Sequence, residues 1–189
     1  MYTQCMAITF IGDLHGNFDG IQLWEGVNYI QVGDFGVGFA VIPALPKSFQ
    51  FIRGNHDDPS LCKQNPHYMG DYGFKKGWGV YYVSGAQSRD WQKRVAGFDK
   101  WFDEELNQYL HDDIISSYLE SKPKIVVSHD APTCATGMPN NSATTYLLNK
   151  MFELWQPEFW VFGHHHKSIR QEINHTKFIG LAIGEQVTI

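Results

Sequence analysis

Five short polar clusters carry the oxygen and nitrogen donors that divalent cations take: Gly12-Asp13-Leu14-His15-Gly16, Gly33-Asp34, Gly54-Asn55-His56-Asp57, Ser128-His129-Asp130 and Gly163-His164-His165-His166. Residues two apart in extended backbone face the same side, so Asp13 and His15 can share one ion. His164 and His166 can do the same, with His165 turned outward and inert. Asp34 has two carboxylate oxygens and can bridge two ions; Asn55 offers a neutral amide oxygen and His129 an imidazole. The candidate ligands Asp13, His15, Asp34, Asn55, His129, His164 and His166 are more than one ion needs and suit two sharing Asp34. A mixed set without thiolate suits manganese, iron or zinc and suits calcium poorly. Manganese is the expected activating ion. Two ions roughly 3.5–4 Å apart clamp a phosphoryl group and generate a bridging hydroxide at neutral pH.

His56 is not needed as a ligand and is placed to protonate a leaving oxygen. Asp57 then either orients the His56 ring or caps the turn at Asp58-Pro59. Arg53, Arg89, Arg94 and Arg170 are candidate phosphate clamps. Arg89 leads and Arg53 is carried with it as a substrate contact. In the same stretch, Trp91, Phe98, Trp101 and Phe102 are expected to pack beneath a loop in preference to stacking a base. His67, His111 and His175 belong to no motif and are assigned surface or packing roles.

These clusters need elements that bring them together. Apolar runs of strand length recur at 7–13, 29–35, 48–55, 80–85, 124–130 and 159–164, and most of them end in a cluster. Their continuous apolar character suits strands covered on both faces. Leu148, Met151, Phe152 and Trp155 recur at helical spacing before Pro157, and Leu106, Leu110, Ile114 and Tyr118 recur every fourth residue before Pro123. The segments 168–173, 176–183 and 185–189 read as antiparallel strands. Strands alternating with helices, followed by a β-rich tail, predict an α/β sandwich. Ligands of open α/β sheets lie beyond the carboxyl ends of the strands, which would converge all five clusters on one edge.

In this order and spacing, GDLHG, GD, GNHD, SHD and GHHH resemble the motifs of the calcineurin-like metallophosphoesterase superfamily over residues 12–166. The resemblance implies a four-layer αββα sandwich of two mixed sheets flanked by helices. It implies Asp13, His15, Asp34 and His166 around one metal, Asp34, Asn55, His129 and His164 around a second, and His56 as leaving-group acid. The protein phosphatases of the superfamily carry Asp-Arg just after the second motif. Here those places hold Val37 and Gly38, which argues against a Ser/Thr protein phosphatase. Residues 84–105 resemble a loop region of small bacterial and phage members.

Composition narrows the substrate. The 189-residue chain reads as one domain and carries a net charge of −5 with no basic run, which disfavours a grip on extended nucleic acid. The expected activity is hydrolysis of a phosphomonoester or phosphodiester of a small molecule or nucleotide. A nuclease or nucleic-acid end-processing phosphatase is the alternative. A non-catalytic interaction scaffold is disfavoured because His56 and every candidate ligand are present. Cys5, Cys62 and Cys134 form no CxxC pair, which fits a reducing, cytoplasmic setting. No signal peptide or membrane span is read, so no membrane partner is expected.

Overall fold

A computed structural model of the protein describes residues 7–95, 101–138 and 141–189. The apolar runs ahead of the first three clusters form β1 (Ile8–Ile11), β2 (Asn28–Gln31) and β3 (Phe49–Phe51). These lie parallel in one sheet, and the C-terminal β10 (Gln186–Thr188) closes it antiparallel to β1. The second sheet has six strands, in the order β4 (Tyr72–Lys75), β5 (Val80–Val83), β6 (Ile125–Ser128), β7 (Phe159–Phe162), β9 (Thr176–Gly180) and β8 (Ile169–Ile173). Its four inner strands run parallel and its two edge strands antiparallel. The two sheets are therefore both mixed, as the resemblance implied.

Alternation of side chains along each strand builds the layers. Ile8, Phe10 and Ile30 of the small sheet meet Val80, Val127, Val161 and Ile179 of the large one. The opposite face of the large sheet, with Tyr81, Val83, Trp160, Phe162 and Phe178, packs on two helices. These are α2 (His111–Ser121), through Ile114 and Tyr118, and α4 (Ala143–Leu154), through Leu147, Leu148, Met151 and Phe152. Ser142 caps α4 by accepting the Thr145 amide at 3.0 Å. The outer face of the small sheet is covered by loops and by the single turn α1 (Pro59–Cys62), which adds Cys62 to Phe35, Phe49 and Phe51. A further single turn, α3 (Thr133–Thr136), follows β6.

The helix read from Leu106 begins at His111, because the Asn107 side chain caps a tighter 3₁₀ turn at 108–110. The strand β4 had no apolar run to announce it: Tyr72-Gly73-Phe74-Lys75 is an edge strand, partly exposed along its length. His175, with Asn174, makes the left-handed two-residue turn between β8 and β9 (φ 70° and 49°). No helix among the described residues is long and apolar enough to cross a membrane.

Candidate metal centre

The cluster-bearing loops leave β1, β2, β3, β6 and β7 at their carboxyl ends. Ligand atoms of Asp13, His15, Asp34 and His166 all lie within 4.8 Å of one another. The Nε2 atoms of His15 and His166 approach to 2.9 Å, and His166 Nε2 lies 3.1 Å from Asp13 Oδ2. Beside this group stands a second one. His129 Nε2 is 3.4 Å from Asp34 Oδ2 and 3.1 Å from Asn55 Oδ1, and the His164 ring packs edge-on to His129. Asp34 Oδ1 is engaged by the His56 backbone N–H at 2.8 Å. Its Oδ2 lies 3.7 Å from His15 Nε2, so Oδ2 is the atom common to both groups.

Strand alternation does not produce this convergence. His15, Asp34, His164 and His166 all have left-handed backbone, with φ of 47°, 54°, 62° and 53°. The expectation of paired presentation from extended chain is corrected here: these four residues are turned inward by tight left-handed steps after their strands. Non-glycine residues in this region cost on the order of 1–3 kcal/mol each and persist only where surrounding bonds enforce them.

At Asp34 those bonds come chiefly from Asp57, while the Asp34 carbonyl holds the His15 amide and the Asp13 carboxylate the His164 amide. The buried Asp57 carboxylate accepts backbone N–H bonds from Phe35, Gly36, Val37 and Gly54 at 2.7–3.0 Å. It makes no contact with the His56 ring, and the α1 cap is Asp58, which accepts from Ser60 and Leu61. Neither expected role holds; Asp57 welds the Asp34 loop to the Asn55 loop. Burial, then the charge of Asp34, push its carboxyl above the ordinary range, against the pull of the amides. Gln31 does similar work unforeseen, donating to the carbonyls of Gly12 and Gly33 and accepting the Gly33 amide. A single glutamine within the apolar run Tyr29-Ile30-Gln31-Val32 was the available signal. Gly54 and Gly163 permit the closeness: a Cβ there would strike Asp34 Oδ1 and Asp13 Oδ1 respectively. Asp57→Ala strands buried N–H donors at about 1–3 kcal/mol each. It is expected to lower the urea-unfolding free energy by about 3 kcal/mol or more, with loss of bound metal.

The donor chemistry fits divalent cations. His129 Nδ1 is hydrogen-bonded to the Val32 carbonyl at 2.9 Å, which aims Nε2 at the site. Burial opposes charge on His129, yet Asp34 and Asp13 push it up to about 10, the mark of a place that attracts positive charge. Burial likewise opposes charge on Asp34, but His129, His56 and His15 hold its carboxyl far below the usual range. The His164 Nε2 is buried without a hydrogen-bond partner, an orphan that a coordinated ion would satisfy.

Around this centre, His56 Nε2 sits 3.9 Å from Asp34 Oδ2 and 2.9 Å from Arg94 Nη2. Burial lowers its pKa, Asp34 works against that, and Arg94 adds to the depression. Arg89 and Arg94 both line the metal pocket. Arg53 does not: its side chain is 2% exposed and is held by Asp71 and the Glu104 carbonyl, so the expected substrate contact is corrected to a structural one. Arg170 is likewise engaged elsewhere, with Glu185. His165 is also corrected. Its side chain is only 5% exposed, with Nε2 3.0 Å from Asp130 Oδ1 and Nδ1 3.0 Å from Arg89 Nη2. Burial works against the Asp130 carboxylate, but His165 and His164 hold it below the usual range. Trp101 is half-buried and donates to the His56 carbonyl, whereas Phe102 is exposed and does not pack as expected; the Trp91 side chain and Phe98 lie outside what the structure describes.

A two-sheet α/β sandwich with carboxylates and imidazoles gathered at its parallel strand ends defines a metal-binding class of protein. The family model for the calcineurin-like phosphoesterases matches residues 6–168, and the chain belongs to that family. No curated protein matches the chain.

Proposed function

We propose that this protein is a binuclear metal-dependent phosphoesterase acting on a phosphomonoester or phosphodiester of a small molecule or nucleotide. The convergence of Asp13, His15, Asp34 and His166 within 4.8 Å, in a chain of this family, carries the reading. Two divalent ions, manganese first and iron or zinc as alternatives, supply Lewis acidity and an activated water when bound. Asp13, His15, Asp34 and His166 hold the first, and Asp34, Asn55, His129 and His164 the second.

The protein's own groups then divide the remaining work. Arg89 and Arg94 grip phosphoryl oxygens, replacing the arginine missing at Val37-Gly38. Arg94 donates to His56 Nε2 in the resting arrangement. A phosphoryl group that draws the guanidinium away frees Nε2 to take up a proton from solvent water and pass it to the leaving oxygen. The metal pocket, about 200 Å³, accommodates little beyond the phosphoryl group. A neighbouring cleft of about 540 Å³ shares Arg89 and His165 with it. Thr136, Met138 and the buried Ser88 and Thr145 give that cleft a mixed polar and apolar lining suited to an uncharged organic group of nucleoside size. Asp130 on its wall disfavours a second phosphate there.

The test is hydrolysis of an aryl phosphate monoester and its diester counterpart by metal-stripped protein, with and without manganese. Turnover restored by manganese is expected. A protein that binds no metal and turns over neither ester refutes the reading and places the scaffold alternative first.

A further inference from the structure

We propose that Ser88 and Glu104 are positioning residues that fix which end of the Asn55 amide faces the second metal position; this rests on the two-ion reading above. Asn55, Ser88 and Glu104 are all buried. The Ser88 backbone N–H donates to Glu104 Oε1 at 2.9 Å, and the Ser88 hydroxyl donates to Oε2 at 2.6 Å. Asn55 Nδ2 lies 2.9 Å from Ser88 Oγ, and Asn55 Oδ1 lies 3.1 Å from His129 Nε2.

The polarity of this chain follows from donor counting. Both Glu104 oxygens accept, Oε1 from the Ser88 backbone N–H and Oε2 from its hydroxyl, so Glu104 consumes both donors of Ser88. With its hydrogen committed, Ser88 Oγ can offer Asn55 only a lone pair, which selects the NH₂ end of the amide. The carbonyl end is thereby presented to the metal position. The two ends are nearly isosteric, and one coordinates a cation while the other repels it, so this selection decides whether Asn55 is a ligand at all. The relay begins 49 residues from Asn55, and neither Ser88 nor Glu104 belongs to a motif.

Glu104→Gln reverses the relay without changing its shape. The carbonyl of the substituted side chain still accepts the Ser88 backbone N–H, and its NH₂ now donates to Ser88 Oγ. The freed hydroxyl turns its hydrogen to Asn55 Oδ1, and Nδ2 swings to the metal position. Every group at the Glu104 and Ser88 end remains bonded, so the variant should fold. Manganese binding to the stripped proteins, followed by calorimetry and by the exchange-coupled electron paramagnetic resonance signal of a manganese pair, reads the effect. Wild type is expected to bind two ions with the coupled signal. Glu104→Gln is expected to lose about 10–100-fold in affinity for the second ion and to give the signal of isolated manganese, with the first ion bound as in wild type. Ser88→Thr, which keeps the hydroxyl in an otherwise wild-type chain, retains the pair, and Ser88→Ala does not. A Glu104→Gln protein that binds two coupled ions as wild type does overturns the relay alone. Wild-type protein that takes up a single ion overturns the two-ion reading and the relay's purpose together.

Discussion

Asp34→Asn is expected to abolish hydrolysis, by on the order of 10³-fold or more, the scale on which aimed charge contributes to turnover. The reason is the position of one atom. Asp34 Oδ2 lies between His15 Nε2 and His129 Nε2, at 3.7 and 3.4 Å, and is common to both ligand groups. The amide that replaces it removes a full negative charge from a buried place already crowded with imidazoles. Its NH₂ takes either the Oδ2 place, where it repels a cation, or the Oδ1 place, where it meets the His56 N–H. Elemental analysis after dialysis against manganese is expected to show metal content falling with activity. Full metal content with full activity would refute the shared-ligand assignment.

His56→Ala is expected to separate binding from turnover. His56 is outside the ligand group Asp13, His15, Asp34 and His166, and its Nε2 is engaged by Arg94 at 2.9 Å, so metal content should stay at the wild-type level. The turnover number for an alkyl phosphate should fall by about 10²–10⁴-fold, the usual contribution of a positioned proton donor. An aryl phosphate with an acidic leaving group needs that proton less, so its deficit should be smaller. Equal losses on both esters would assign His56 to phosphoryl binding in place of proton delivery. Loss of metal would make it a structural residue of the centre.

The convergence of the clusters was legible because each follows an apolar run, and parallel strands carry such endings to one rim. The surroundings were not, since they depend on which loops fold over that rim. Asp57 adjoins His56 in the chain, yet its carboxylate is used by amides about twenty residues earlier, a pairing that no local pattern announces. His165 looked idle by alternation; the left-handed steps at His164 and His166 turn it toward Asp130 instead. Among the arginines, Arg53 sits beside a motif and Arg94 beside none, but the fold buries the first against Asp71 and hangs the second over His56. The strands and α4 were readable from periodicity, whereas β4 lacked the continuous apolar burial that makes an inner strand visible.

The two sheets contribute unequally to the rim: Asp13, His15, Asp34 and Asn55 follow strands of the small one, His129, His164 and His166 strands of the large one. Any cation held there is a rivet through the seam between two separately bonded halves. Beneath it the halves are already glued by Ile30, Phe10, Val127 and Val161, and stitched by the His129 bond to Val32 and the His164 amide bond to Asp13. Pulling the rivet therefore leaves the filling in place. Metal occupancy and foldedness are uncoupled in such a build, so stripping the ions is expected to leave the folded chain intact.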